Sequence, residues 1–127
     1  TDVTGFGLLG HLVEMAKPSE VDVELDLNAI PILDGALEMV EAGIFSSLQP
    51  QNIRLRRAVR NGEEAAIDSR YPLIYDPQTA GGLLASVPGE LADGCVAELK
   101  KLGYPHTAVI GEITPQSDHL EPIVVKI

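Results

Sequence analysis

The sequence predicts an α+β fold, a two-layer sandwich whose mixed sheet of about four strands carries its helices mostly on one face. Three observations predict it: apolar residues at helical spacing in separate segments, a strict two-residue alternation over 21–27, and a tail ordered strand, helix, strand, strand. A chain of 127 residues fits one such unit, since folding units cluster at roughly 100 to 150 residues. With 45% hydrophobic residues but only three Tyr, two Phe and no Trp, its core must be built from Leu, Ile, Val and Ala.

The elements follow in order. Thr4 is placed to cap a helix whose apolar residues Phe6, Leu9, Val13 and Ala16 share one face, widened by Leu8, Leu12 and Met15, and which Pro18 ends. Val21, Val23, Leu25 and Leu27 then alternate with Asp22, Glu24 and Asp26, the pattern of a strand with one wet face. Residues 31–42 read as a loop and a short helix stopped by Gly43, and residues 44–71 as irregular chain with a helical turn or two. After the turn-rich DPQTAGG, Leu83 to Val87 reads as a buried strand and Glu90 to Leu102 as a helix closed by Gly103. Thr107 to Ile113 and Ile123 to Ile127 supply two more strands.

Composition narrows function. A formal charge of −10 disfavours nucleic acid and anionic membrane as partners, because both are bound largely through Lys and Arg. Any phosphate would have to be met by metal or backbone N–H groups. The single cysteine, Cys95, can form neither an internal disulfide nor a cysteine zinc cluster, so a cytoplasmic location is expected. No apolar run approaches the roughly 20 residues that span a bilayer. The opening at Thr1, without Met and inside a glycine-rich segment, points to residue 1 as an internal boundary of a longer chain.

Gly5, Gly7 and Gly10 form a G-x-G-x-x-G, with Asp26 near the end of the next strand, as dinucleotide-binding folds require. That reading fails because Thr1, Asp2, Val3 and Thr4 are too few and too polar to be the strand that must run into the first glycine. Within a helix each glycine costs about 1 kcal/mol relative to Ala, so Gly7 and Gly10 need a reason. Close backbone packing is one. The other is a helix start which, beside the Asp2 carboxylate, holds metal and phosphate together, since magnesium needs only one or two carboxylates. A plain helix-end partner remains the alternative for Asp2.

TDVTGFGLLGHL at 1–12 together with DPQTAGGLL at 76–84 strongly resembles the C-terminal half of the selenide, water dikinase family, and PQNIRLRR at 50–57 is also similar. The resemblance covers the whole chain. It implies the C-terminal-domain fold of the aminoimidazole ribonucleotide synthetase superfamily, with residues 1–127 as one C-terminal domain and the N-terminal ATP-binding domain lying outside this chain. It further implies an ATP-dependent phosphotransferase that makes selenophosphate from selenide, ATP and water with release of AMP and phosphate, a homodimer at full length. On that basis Asp2 is a magnesium ligand, and the fragment alone is inactive because ATP is bound mainly by the other domain. Rival readings are another ATP-dependent synthetase or kinase of the superfamily, or a stand-alone module sensing a small ligand.

The family's second motif usually has Ser where this chain has Ala80, which puts a side-chain phosphate contact there in doubt. Backbone contacts survive: if Gly81 and Gly82 adopt positive φ, the N–H groups of Thr79, Gly81 and Gly82 form an anion-binding concavity. A tight turn entering a strand is the alternative. Cys95 reads as a small buried hydrophobe, His11 as a packed helix residue, and His106 and His119 carry no role. Arg54, Arg56, Arg57 and Arg60 either pair with Glu63, Glu64 and Asp68 or another domain, or touch phosphate directly. No residue is assigned a catalytic role.

Overall fold

The computed structural model describes residues 1–127. Its sheet has three strands, β1 (Val21–Asp26), β2 (Gly111–Pro115) and β3 (Ile123–Lys126), in the order β2-β1-β3. β1 runs antiparallel to β2, with Val23 opposite Ile113, and parallel to β3, with Val23 opposite Ile123, so the sheet is mixed as expected. The helices are α1 (Gly7–Ala16), α2 (Ala36–Glu41), α3 (Gln49–Asn52), α4 (Gly62–Ala65) and α5 (Gly89–Lys101), with 3₁₀ turns at Ile53–Ala58 and Tyr71–Tyr75. None is long and apolar enough to cross a membrane.

The core lies on one face of the sheet, as the alternation in β1 dictates. Val23, Leu25 and Leu27 point inward with Ile123 and Val125, and α1 covers them with Leu9, Leu12, Val13 and Ala16. Ala58, Val59, Ala65, Ile74 and Tyr75 close the same cluster from the segment between α3 and the second 3₁₀ turn. That segment is therefore more ordered than its sequence suggests. Its short helical pieces lack a clean period because each contributes no more than three core residues.

The opposite face of β1 is wet only in part. Glu24 pairs with Lys126, but Asp22 is buried. Its Oδ2 accepts from the Ser117 hydroxyl at 2.5 Å and from Arg60 Nη2 at 2.8 Å, and the same Nη2 reaches the Glu121 carbonyl at 3.0 Å. This network ties the loop between β2 and β3 to the chain that leads into α4. A strand pattern shows which face Asp22 occupies, but not that a loop nearly 100 residues later folds over it.

Three expectations are corrected. The fourth strand does not form: Leu83 makes an isolated antiparallel bridge with Asp2 and stays exposed, because only the short 1–4 segment lies beside it and no ladder extends toward Val87. α5 contributes no fully buried residue, and only Ala92, Val96 and Leu99 on one face are half-buried. Cys95 on α5 is accordingly exposed rather than buried. Finally, Thr4 does not cap α1. The helix begins at Gly7 after Phe6, and Thr4 turns inward to His11.

Acid should weaken this fold through its paired carboxylates. The Ser117 hydroxyl and then the Arg60 guanidinium hold the Asp22 carboxyl below its ordinary value of 3.8, and Arg70 does the same for Asp68. A lowered folded-state pKa gives stability that is complete above the ordinary carboxylate range and lost as pH falls toward the folded value. Urea midpoints measured between about pH 6 and about pH 3 should therefore fall, and fall less steeply in Asp22→Asn. Equal slopes would remove Asp22 from the account.

Candidate functional site

The two glycine-rich motifs meet. The 1–4 segment lies antiparallel to 81–84: Leu84 N–H donates to the Thr1 carbonyl at 2.8 Å, Val3 N–H to Gly82 at 2.9 Å and Gly81 N–H to Val3 at 3.1 Å. Gln78 N–H continues the line to the Thr4 carbonyl at 3.0 Å. Val3 faces the interior, while the Asp2 side chain is exposed and makes neither a hydrogen bond nor an ion pair. Asp2 and residues 79–82 are thus neighbours in space although almost 80 residues apart in sequence.

Glycine is required at two points of this junction. Gly7 has φ +69°, and a Cβ there would meet the backbone of Ile74, Tyr75 and Asp76 at 2.9–3.0 Å. A Cβ on Gly81 would lie 2.4 Å from the Val3 carbonyl oxygen. Close backbone packing therefore accounts for Gly7, and also for Gly10, where a Cβ would sit 2.5 Å from that of Phe6. The concavity expected from positive φ at Gly81 and Gly82 is not formed, because neither residue adopts it and the Gly81 N–H is engaged by Val3. The N–H groups of Thr79, Ala80 and Gly82 make no hydrogen bond within the chain, and all three residues are exposed.

A third segment clamps the first two. Asn52 is buried at the end of α3, and its Nδ2 donates to the Gly5 carbonyl at 2.8 Å and the Tyr75 carbonyl at 3.0 Å. Gln49, also buried, donates from Nε2 to the Pro72 carbonyl at 2.7 Å. Neither amide was singled out from sequence. The signal available was their place in and beside PQNIRLRR, where α3 has three amides and no charged side chain.

His11 is a packed residue. Its Nε2 accepts the Thr4 N–H at 3.0 Å and contacts the Thr4 hydroxyl at 3.1 Å, which leaves Nδ1 to donate toward Glu14 at 3.4 Å. Asp76 is half-buried. Burial pushes its carboxyl up, opposed by a 2.9 Å hydrogen bond from Gln78.

The arginines divide. Asp68 pairs with Arg70 rather than with the arginines at 54–60, and Arg60 pairs with Asp22 rather than with its sequence neighbours. Arg54, Arg56 and Arg57 have no ionic partner, although Arg54 Nε donates to the Gln51 carbonyl at 3.1 Å. No group of three or more His, Cys, Asp or Glu side chains converges as a metal cage. Asp2 is a lone carboxylate, a donor set that fits magnesium only where phosphate oxygens, water and groups from elsewhere complete its six positions.

Comparison with known proteins places this geometry. Residues 1–121 match the family described as AIR synthase related protein, C-terminal domain. Similar proteins include a selenide, water dikinase of Clostridioides difficile (strain 630), 43% identical over 122 residues that cover 93% of this chain and 34% of that protein. Another, from Clostridium botulinum (strain Eklund 17B / Type B), is 38% identical over 127 residues, covering 99% of this chain and 36% of that protein. A selenide, water dikinase of Rhizobium meliloti (strain 1021) is 38% identical over 111 residues, 87% of this chain and 32% of that protein. The chain therefore spans about a third of the length of the curated relatives it matches.

The glycines and the clamp give a graded expectation for stability. Asn52→Ala leaves two carbonyls without their donor and should cost about 2 kcal/mol or more. Gly7→Ala, forced into left-handed backbone against three neighbouring residues, should also cost about 2 kcal/mol, whereas Gly5→Ala, with nothing within 4 Å, should cost far less. Urea denaturation of the three variants checks the ranking. A Gly5 variant as damaged as the Gly7 variant would contradict it.

Proposed function

Because the chain belongs to the AIR synthase related protein family, as its C-terminal domain, we propose that it is the C-terminal domain of a selenide, water dikinase. The complete enzyme then makes selenophosphate from selenide, ATP and water and releases AMP and phosphate. It works in the cytoplasm as a homodimer, with an N-terminal domain outside this chain providing most of the nucleotide contacts. The observation that carries this reading is the pairing of Asp2 with Leu83, which sets a free carboxylate beside three unengaged backbone N–H groups.

Each part of that junction has a role. Asp2 offers carboxylate oxygen toward magnesium held against the nucleotide phosphates, and the cation when bound neutralises charge on the group transferred. The N–H groups of Thr79 and Gly82 form no shared concavity but are each unengaged and available singly to phosphate oxygen, which a domain of charge −10 otherwise repels. Gly81 has a different part: its N–H holds Val3 and so fixes the loop against the strand that carries Asp2. Ala80 contributes no hydroxyl, so anion contact at that position falls to its N–H.

Such a site is incomplete in this chain. One carboxylate and a few amides cannot by themselves enclose a cation or a triphosphate, so the chemistry requires the remaining two thirds of the enzyme. Two measurements test the reading. Asp2→Asn in the complete enzyme should lower magnesium-dependent ATP turnover by at least about tenfold, and normal turnover would overturn the metal role. The 127-residue chain given ATP, magnesium and selenide should form no selenophosphate; turnover by it alone would refute the shared site.

A further inference from the structure

We propose that the cleft between Phe6 and the 3₁₀ turn Ile53–Ala58 binds a nucleoside phosphate, with Arg54 and Arg57 on its phosphate oxygens and Phe6 against its ring. The cleft holds about 300 Å³ and is bordered by Phe6, Gln51, Asn52, Arg54, Leu55 and Arg57. That volume lies at the lower end of the range for small-molecule sites, roughly 300 to 1,000 Å³.

The cationic wall follows from the backbone. A 3₁₀ helix has three residues per turn, so Arg54 and Arg57 stand one above the other on one face. The chain has 19 acidic against 9 basic residues, and Arg60, Arg70, Lys101 and Lys126 each take a carboxylate. Arg54 and Arg57 take none. The 3.1 Å bond from Arg54 Nε to Gln51 orients its fork and leaves both terminal nitrogens free. Two guanidinium groups without carboxylate partners, lining one cleft of an acidic protein, suit a phosphate, which accepts paired N–H donors from each.

The aromatic wall is held in place as well. Gly10 lets Phe6 and Leu55 close in, since a Cβ there would lie 2.5 Å from the Phe6 Cβ and 3.1 Å from a Leu55 methyl. The His11 ring sits 5.6 Å from the Phe6 ring. Phe6 nevertheless remains 54% exposed, a fixed flat surface of the kind on which bases stack. Asn52 joins the cleft to the phosphotransferase site, because its amide holds the Gly5 carbonyl next to Phe6. The identity of the ligand as a nucleotide rests on the proposed function; the anion site rests on this geometry alone.

The test is an NMR titration of the 127-residue chain with ADP, pyrophosphate and adenosine, in the presence of a metal chelator. ADP should bind in the millimolar range and shift resonances of Phe6, Arg54 and Arg57. Replacing both arginines by glutamine should weaken ADP at least about tenfold, and replacing both by lysine should restore part of the loss. Phe6→Leu should weaken ADP and adenosine but not pyrophosphate. Binding in the presence of the chelator, with shifts at Phe6, Arg54 and Arg57 rather than at residues 79–82, separates this site from the metal role. Absence of ADP binding, equal binding by the double glutamine variant, or shifts confined to residues 79–82 would overturn the proposal. Pyrophosphate binding as tight as ADP, with Phe6→Leu silent, would overturn it as a nucleotide site.

Discussion

One side-chain amide holds the functional end of this domain together. The two hydrogens of Asn52 Nδ2 reach carbonyls 47 and 23 residues away, at Gly5 and Tyr75, and these are the only two donors such a nitrogen has. Both carbonyls belong to chain that forms no regular ladder at those points, so no other group is positioned to satisfy them. The consequence is geometric. Fixing Gly5 and Tyr75 to one atom sets the glycine-rich start of α1 on the 3₁₀ turn before DPQTAGG, and the missing Cβ of Gly7 lets the two backbones touch. The pairing of 1–4 with 81–84 extends from that fixed point.

Much of this was legible in the sequence, and the reasons for what was not are specific. The alternation from Val21 to Leu27 predicted β1 and its buried face, because a strand's period depends on nothing outside the strand. The helix ends at Gly43 and Gly103 were equally local, as were the two C-terminal strands. Burial of Asp22 was not, since it depends on Ser117 and Arg60 arriving from distant segments. Leu83 to Val87 has the composition of a buried strand, but an apolar run specifies that it wants a partner without specifying one, and here its neighbour is only a few residues long. Asp2 and DPQTAGG stand out in the sequence as separate motifs, and only the fold makes them neighbours. Asn52 escaped notice because a buried amide that grips backbone carbonyls has no periodic signature.

Charge is distributed by task. Arg60, Arg70 and Lys126 are each committed to a carboxylate, and those pairs stitch loops and strand edges together. The cations left over are concentrated in the turn after α3, beside the motifs that meet at Asn52. Asp76 shows the converse: it lies in that same junction, half-buried and without a cation, so its carboxyl gives up its proton less readily than an ordinary one.

α5 has a different standing from every other long element. It is 13 residues long and buries no side chain, while isolated helices shorter than roughly 12 to 15 residues are marginal in water. It is held by its own hydrogen bonds, by the Lys101–Glu98 pair at 2.6 Å and by a half-buried face of Ala92, Val96 and Leu99, with no residue in the core that stabilises α1 and β1. Amide protons along α5 therefore exchange with solvent through local fraying, while those of β1 wait for global opening. The thirteen-residue segment that carries Cys95 is thereby the part of the fold least tied to the sheet.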